Sequence, residues 1–300
     1  MSAGRPLLKW AGGKRQLLPA LRAHYPASFG AYIEPFVGSG AVFFDLYASG
    51  RLAGRKAVLI DVNADLIGCY EQVRDEPDAV ADALEELTAR HAAEGSTCYY
   101  RVRDQRFNPT REARREPDGR LRYTPELAAM FVYLNRTGFN GLFRVNASGG
   151  FNVPAGRYPR PAMATRASLR DAAAALRAPG VRLMWGSFEL ADGVARRGDF
   201  LYFDPPYAPV SRTANFTSYT AARFTSADQQ RLRQLIVRLA RRGCHVLCSN
   251  STAGEIEALY EHPTARTAGL RTCRVLARRA INSDPSKRGV VEEYLVTNVP

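Results

Sequence analysis

Cysteine is scarce in this chain and poorly placed for crosslinking. Cys69, Cys98, Cys244, Cys248 and Cys273 are odd in number and scattered, and no two have the Cys-x-x-Cys spacing. A disulfide framework and a thiolate zinc site are therefore not expected, and no metal is; a reducing cytoplasm is the natural setting. Long hydrophobic runs are missing too. No stretch approaches the roughly 18 uncharged apolar residues of a membrane span. The opening Met-Ser-Ala-Gly-Arg-Pro has no apolar signal core, so neither insertion nor secretion is expected. Internal repeats are absent. So is the complete Gly-x-Gly-x-x-Gly fingerprint, which leaves pyrophosphate binding without its usual signature.

What is present is an ordinary globular composition of unusual charge. Three hundred residues, 46% hydrophobic and 24% charged, can bury a sizeable core in one large domain or two smaller ones. The net charge of +13 points to a polyanionic partner. Residues 101–170 hold fourteen arginines and no lysine against five acids (Asp104, Glu112, Glu116, Asp118 and Glu126), over two-thirds of that excess in under a quarter of the chain. Arginine dominates throughout, so the clustering carries more information than the preference for arginine. A solvated basic face is the plainer alternative.

Apolar periodicity suggests a strand at 31–36, a glycine turn, a helix at 41–49, and a second strand at 57–60 ending at Asp61. Helices are expected at 66–94 and 97–107, a charged loop punctuated by Pro and Gly at 108–123, another helix at 124–135, and hairpin and loop at 137–160. Strands follow at 181–185, 201–203 and 244–248, with a helix at 226–242 that Ser226 can cap and Gln229 can complete as a capping box. Two last strands, 272–279 and 290–298, flank a polar loop at 281–289 and are expected to pair antiparallel. The pattern is α/β: a mostly parallel, doubly wound sheet with an antiparallel last strand. A helical and hairpin insert at 68–165 carries most of the basic cluster and divides the remaining unit into 1–67 and 166–300.

Four constellations carry chemistry. In Leu201-Tyr-Phe203-Asp204-Pro205-Pro206-Tyr207 a short apolar strand ends in a carboxylate, a rigid turn and an aromatic face. Ligands in open α/β sheets bind beyond the carboxyl ends of the strands. An acceptor, a carbonyl-rich turn and a stacking ring there suit a planar group with an exocyclic amine, such as an extruded nucleobase. Second, Glu34-Pro-Phe36-Val-Gly38-Ser-Gly40 joins a strand to a helix, and Asp61 ends the next strand, placed to accept hydrogen bonds from ribose hydroxyls. Third, Lys9-Trp10-Ala-Gly-Gly-Lys14 offers a ring to pack on a cofactor and an ammonium to reach a carboxylate; a basic arm with one anchoring Trp is the bland reading. Fourth, Phe139, Asn140, Leu142 and Arg144 form a kit for DNA: a wedge, an amide suited to adenine and a fork suited to guanine. By itself that segment reads equally as a hairpin.

Taken in order, these residues resemble the DNA adenine-N6 methyltransferases of the Dam type. Matching blocks are Lys9–Lys14, Glu34–Gly38, Asp61-Val-Asn63-Ala-Asp65, Tyr133–Arg136, Phe139–Leu142, Phe151–Tyr158, Asp204-Pro-Pro-Tyr207-Ala-Pro and Thr213–Tyr219. The resemblance covers about Leu7 to Asn298. It implies S-adenosylmethionine as methyl donor, no metal, and duplex DNA, usually GATC, as substrate. It implies cofactor contacts from Trp10, Lys14, Glu34, Phe36, Gly38, Asp61 and Asp204. Lys9, Phe139, Asn140, Leu142, Arg144, Pro154 and Tyr158 would meet the recognition site, and Asp204, Pro205, Pro206 and Tyr207 would carry catalysis. The resemblance also places the protein in the cytoplasm, on bacterial or phage DNA, with no membrane and no obligate protein partner. Two departures stand out. Phe139 replaces a common Tyr, keeping the ring without its hydroxyl, and the 108–123 segment is longer and more basic than expected, with flanking DNA contacts as its expected effect. Three rivals stay open: an adenine methylase of structured RNA, a cytosine-N4 methylase (often with Ser at the position of Asp204), and a non-catalytic DNA-binding module.

Overall fold

The computed structural model describes residues 6–10, 12–158, 160–208, 224–278 and 290–300. After a short helix α1 (Leu18–Arg22), strand β1 (Tyr32–Glu34) leads through a glycine turn to α2 (Ala41–Ala48) and β2 (Ala57–Asp61). Six helices follow before the sheet resumes: α3 (Ala64–Asp75), α4 (Pro77–Glu94), α5 (Ser96–Arg101), α6 (Asn108–Ala113), α7 (Pro125–Thr137) and α8 (Arg166–Leu176). Next come β3 (Val181–Trp185), α9 (Leu190–Val194), β4 (Phe200–Phe203), α10 (Ser226–Arg242) and β5 (His245–Ser251). Helices α11 (Gly254–Glu261) and α12 (Pro263–Arg266) precede β6 (Arg271–Arg278) and β7 (Val290–Thr297).

The seven strands lie in the order β3-β2-β1-β4-β5-β7-β6. β1 through β5 are parallel, and β7 runs antiparallel to both neighbours. The central strands are apolar on both faces, as a buried parallel sheet requires. Alternation then sorts them. Tyr32, Leu59, Phe200, Tyr202 and Leu247 face one core, and Ile33, Val58, Ile60, Leu201, Phe203 and Val246 face the other. The first core does not stop at the sheet. It runs without a break into Leu84, Tyr99, Phe107, Phe131 and Phe151 between β2 and β3. α10 covers the second core with Leu232, Leu235, Ile236 and Leu239.

Several boundaries differ from the sequence expectation, each for a local reason. The stretch read as one helix over 66–94 is two, because Glu76 before Pro77 leaves the helical region (φ −132°, ψ 52°). The segment read as a loop at 108–123 begins as helix. A π turn, Val102–Phe107, carries the chain from α5 into α6, where Pro109 sits in the first turn and its missing N–H is tolerated. Only then does a small hairpin close, with Arg115 bridged to Leu121. The cap of α10 is Thr225, whose side chain accepts from the Asp228 N–H while Asp228 accepts from the Thr225 N–H; Ser226 is already inside the helix. α8 has no counterpart in the sequence reading, although Thr165 and Ser168 form its capping box and Leu169, Ala172, Ala173 and Leu176 its buried stripe. The 281–289 loop and the Thr213–Tyr219 block lie outside the described residues.

Candidate active site

Three acids stand at the carboxyl ends of three adjacent parallel strands: Asp61 on β2, Glu34 on β1 and Asp204 just past β4. The order reverses between β1 and β4, which is where a doubly wound sheet opens a crevice. Glu34 is buried, and one of its carboxylate oxygens has no hydrogen-bond partner. Burial pushes its carboxyl well above the usual range. Asp61 accepts from the Gly38 N–H (3.1 Å) and the Asn63 N–H (2.9 Å), yet burial still raises it to about 6. Gly38 is left-handed (φ 47°), and a Cβ there would stand 2.8 Å from Cδ1 of Trp10. Trp10 in turn stacks on Phe143 at 6.2 Å. Phe36 stacks on Phe188 at 5.4 Å, against the second core.

Asp204 is the most heavily engaged of the acids. Lys14, only 5% exposed, places Nζ 2.8 Å from Asp204 Oδ1 and 4.6 Å from the Tyr207 ring centroid. The Ser249 hydroxyl donates to Asp204 Oδ1 at 3.0 Å and lies 3.0 Å from the Tyr202 hydroxyl. Burial raises the Asp204 carboxyl, Lys14 opposes that shift, and the Glu293 carboxylate adds to it. The turn itself is fastened from β5 and α10. Gln229 donates to the Pro206 carbonyl (3.0 Å), Asn250 donates to Gln229 (3.1 Å), and Ser251 donates to the Ala208 carbonyl (2.8 Å). Tyr207 donates its hydroxyl hydrogen to Glu293 Oε2 at 2.6 Å. None of Tyr202, Gln229, Ser249, Asn250 or Glu293 is a site residue in the sequence expectation; Gln229, expected to complete the helix cap, instead holds the Pro206 carbonyl while Asp228 completes the cap. For Ser249 and Asn250 the available signal is polarity inside a strand: Ser249-Asn250-Ser251 is wholly buried at the end of β5, and buried polar groups need partners.

A second cluster adjoins the first through Trp10. Lys9 and Asn135 exchange hydrogen bonds, Lys9 N–H to Asn135 Oδ1 (2.8 Å) and Asn135 Nδ2 to the Lys9 carbonyl (2.7 Å). Lys9 Nζ sits 4.3 Å from the Tyr158 ring, and burial with Arg136 nearby lowers its pKa. The Tyr158 hydroxyl accepts from the Asn140 N–H at 3.1 Å, and the Phe139 N–H donates to the Pro154 carbonyl at 2.9 Å. Asn140 is the lone non-glycine at positive φ (55°) among the described residues, a strained conformation that Asn tolerates better than most. It leaves Phe139 40% exposed. Leu142 packs half-buried on the aromatic core, and Arg144 Nε donates to Asn152 Oδ1 at 2.8 Å. Contacts thus join Lys9, Asn140 and Tyr158 in one group and Phe139 to Pro154, while Arg144 bonds to Asn152 and Leu142 packs on the core. Among the described residues no His, Cys, Asp and Glu group could hold a metal, and no helix is long and apolar enough to cross a membrane.

Three acids at the switch point of a mostly parallel sheet thus stand beside an Asp-Pro-Pro-Tyr turn and an aromatic and basic segment. The model of the D12 class of N6 adenine-specific DNA methyltransferases matches residues 10–272. The chain belongs to that family. It is 39% identical over 296 residues to a Type II methyltransferase, M1.LlaDCHI, of Lactococcus lactis subsp. cremoris, covering 98% of this chain and 95% of that one. It is 36% identical over 305 residues to the Type II methyltransferase M.MjaIII of Methanocaldococcus jannaschii (98% and 99%). With the DNA adenine methylase of Escherichia coli K12 it shares 35% identity over 302 residues (100% and 97%).

Proposed function

We propose that this adenine-specific DNA methyltransferase uses S-adenosylmethionine and acts on an adenine extruded from duplex DNA, with GATC as its target. The observation that carries the reading is Asp204, held by Lys14 and Ser249 beside the Tyr207 ring at the sheet's switch point. The acids fit that cofactor. Glu34 has an unpartnered buried oxygen, and Asp61 has acceptor capacity left beside its backbone donors. Trp10, Lys14, Glu34, Gly38, Asp61 and Asp204 would hold it, with Phe36 shaping the pocket from behind. When bound, the cofactor supplies an electrophilic methyl group with a built-in leaving group.

The chain's own residues act on the acceptor. The N6 lone pair is delocalised into the purine, so the amine is a weak nucleophile. The Asp204 carboxylate and the Pro205 carbonyl accept its two N–H bonds, which favours a pyramidal nitrogen as positive charge develops. Tyr207 stacks on the base and aligns it. Lys14 and Ser249 oppose the burial that raises the Asp204 carboxyl, and they hold the carboxylate in place. The segment 68–165 serves as the target-recognition unit. Phe139 wedges between base steps, Arg144 and Asn140 read base edges, and Lys9, Pro154 and Tyr158 shape the same surface with Leu142 beneath it.

The test incubates the protein and methyl-labelled S-adenosylmethionine with one duplex containing a single GATC and with others changed at one base. Label in N6-methyladenine from the GATC duplex alone is expected. Asp204→Ala is expected to abolish transfer while retaining DNA binding, and turnover at the wild-type rate by that variant sinks the assignment. Label from another duplex redirects the target, and label in RNA alone overturns the DNA reading.

A further inference from the structure

Asp65 and Arg111 form an ion pair that neither catalysis nor cofactor binding uses. It is bidentate, 2.6 and 2.8 Å, and almost wholly buried, with the Tyr123 hydroxyl donating to the same carboxylate at 2.9 Å. Such a pair is expensive to bury and adds little net stability over apolar side chains of the same volume. Its placement gives it a purpose. Asp65 opens α3, four residues beyond Asp61, and the two are joined by Asn63, which donates its N–H to Asp61 and accepts from the Asp65 N–H. Arg111 lies on α6, and its remaining Nη donates to the Gly149 carbonyl at 2.6 Å. One turn earlier on α6, Asn108 pairs with the backbone of Phe151 in both directions, 2.8 and 3.0 Å. Val145 bridges to Phe151, and Arg144 stands immediately outside that bridge. One face of α6 therefore holds the small hairpin from which Arg144 projects.

We propose that the Asp65–Arg111 pair is a positioning device for sequence discrimination: it fixes the 145–151 hairpin, and through it Arg144, in register with the Asp61 end of the cofactor pocket. This assigns a role to the 108–123 segment different from the flanking DNA contacts its charge suggests. The α6 face holds a reader against the catalytic unit. The proposal rests on the reading of Arg144 as a base contact.

The experiment compares kcat/KM on the GATC duplex with that on single-base variants, alongside cofactor affinity by titration, in the full-length protein. Arg111→Lys keeps the charge and loses the fork. It is expected to lower the discrimination ratio at the Arg144-dependent base pair by about tenfold, with cofactor affinity changed less than twofold. Combined with Arg144→Ala it is expected to lower that ratio no further than Arg144→Ala alone, as for two residues acting through one contact. Should Arg111→Lys fail to fold, the isosteric Asp65→Asn carries the same test. A lowered melting temperature with an unchanged ratio makes the pair purely structural and overturns the proposal. An Arg144→Ala variant with unaltered discrimination overturns the base reading, and the proposal falls with it. Loss at Arg144 without loss at Arg111 overturns the proposal alone.

Discussion

Tyr207 is held at both ends, its ring beneath Lys14 and its hydroxyl on Glu293 of β7. A hydrogen bond to a charged group contributes about 1.5–3 kcal/mol. Here the bond orients a ring that is to stack on the base. Tyr207→Phe keeps the ring and frees it, so kcat is expected to fall about tenfold with cofactor affinity unchanged; a loss confined to KM would argue against an orienting role. Glu293→Gln, which still offers an acceptor, is expected to lose less. Asp61 gives a pH signature. Its carboxyl titrates at about 6 rather than at the ordinary 3.8, because burial disfavours the charge. In the proposed cofactor site the ionised form would accept ribose hydroxyls, so cofactor affinity is expected to hold above that value and to weaken as pH falls through it, by about tenfold per unit at the limit. The same raised value has the opposite sign for folding: the protonated form is favoured in the native state, so this contribution to stability is present at low pH and is lost as pH rises through about 6. Titration of cofactor binding from pH 8 to 5 checks the first effect, and Asp61→Asn is expected to flatten it.

Among the elements, α10 shows both the reach and the limit of reading a sequence. Its amphipathic stripe, Leu232, Leu235, Ile236 and Leu239, was legible from spacing, and its cap was misplaced by one residue. Thr225 and Asp228 satisfy the first-turn donors, so Thr225→Ala is expected to cost about 1 kcal/mol in denaturant unfolding, and Ser226→Ala close to nothing. The strands and the antiparallel β6–β7 pair were legible because buried parallel strands are continuous apolar runs bounded by turns. The strand-end positions of Asp61 and Asp204 were legible because each follows such an apolar run. α6 was not, since Pro109 and a dense run of charge imitate a loop while the tertiary partners of Asn108 and Arg111 lie some forty residues away. As site residues Ser249, Glu293 and Gln229 were invisible for the same reason: their partners are set by sheet order and not by spacing.

At the scale of the whole molecule, the charge is a force on DNA independent of sequence. The basic cluster predicts affinity that falls linearly with salt on a logarithmic plot, by roughly 0.9 per phosphate neutralised. Arg157 is exposed beside Tyr158 and has no carboxylate partner among the described residues. Arg157→Ala is expected to weaken GATC and altered duplexes alike and to reduce the slope by about one, whereas an effect confined to GATC would make it a reader. The continuous apolar core that joins the sheet to the central helices also bears on how the chain is made. Tyr32 and Ile33 of β1 find their second strand neighbour in Phe200 and Leu201, and Lys14 finds its counter-ion in Asp204. A growing chain on the ribosome has synthesised every helix between β2 and β3 before it has β4, the strand that joins β1 to β5. β1 and β2 wait, exposed along one edge, with the helices between β2 and β3 as their earliest apolar cover. A chain arrested before β4 would hold every helix between β2 and β3 and the acids Glu34 and Asp61, without the Asp204 turn.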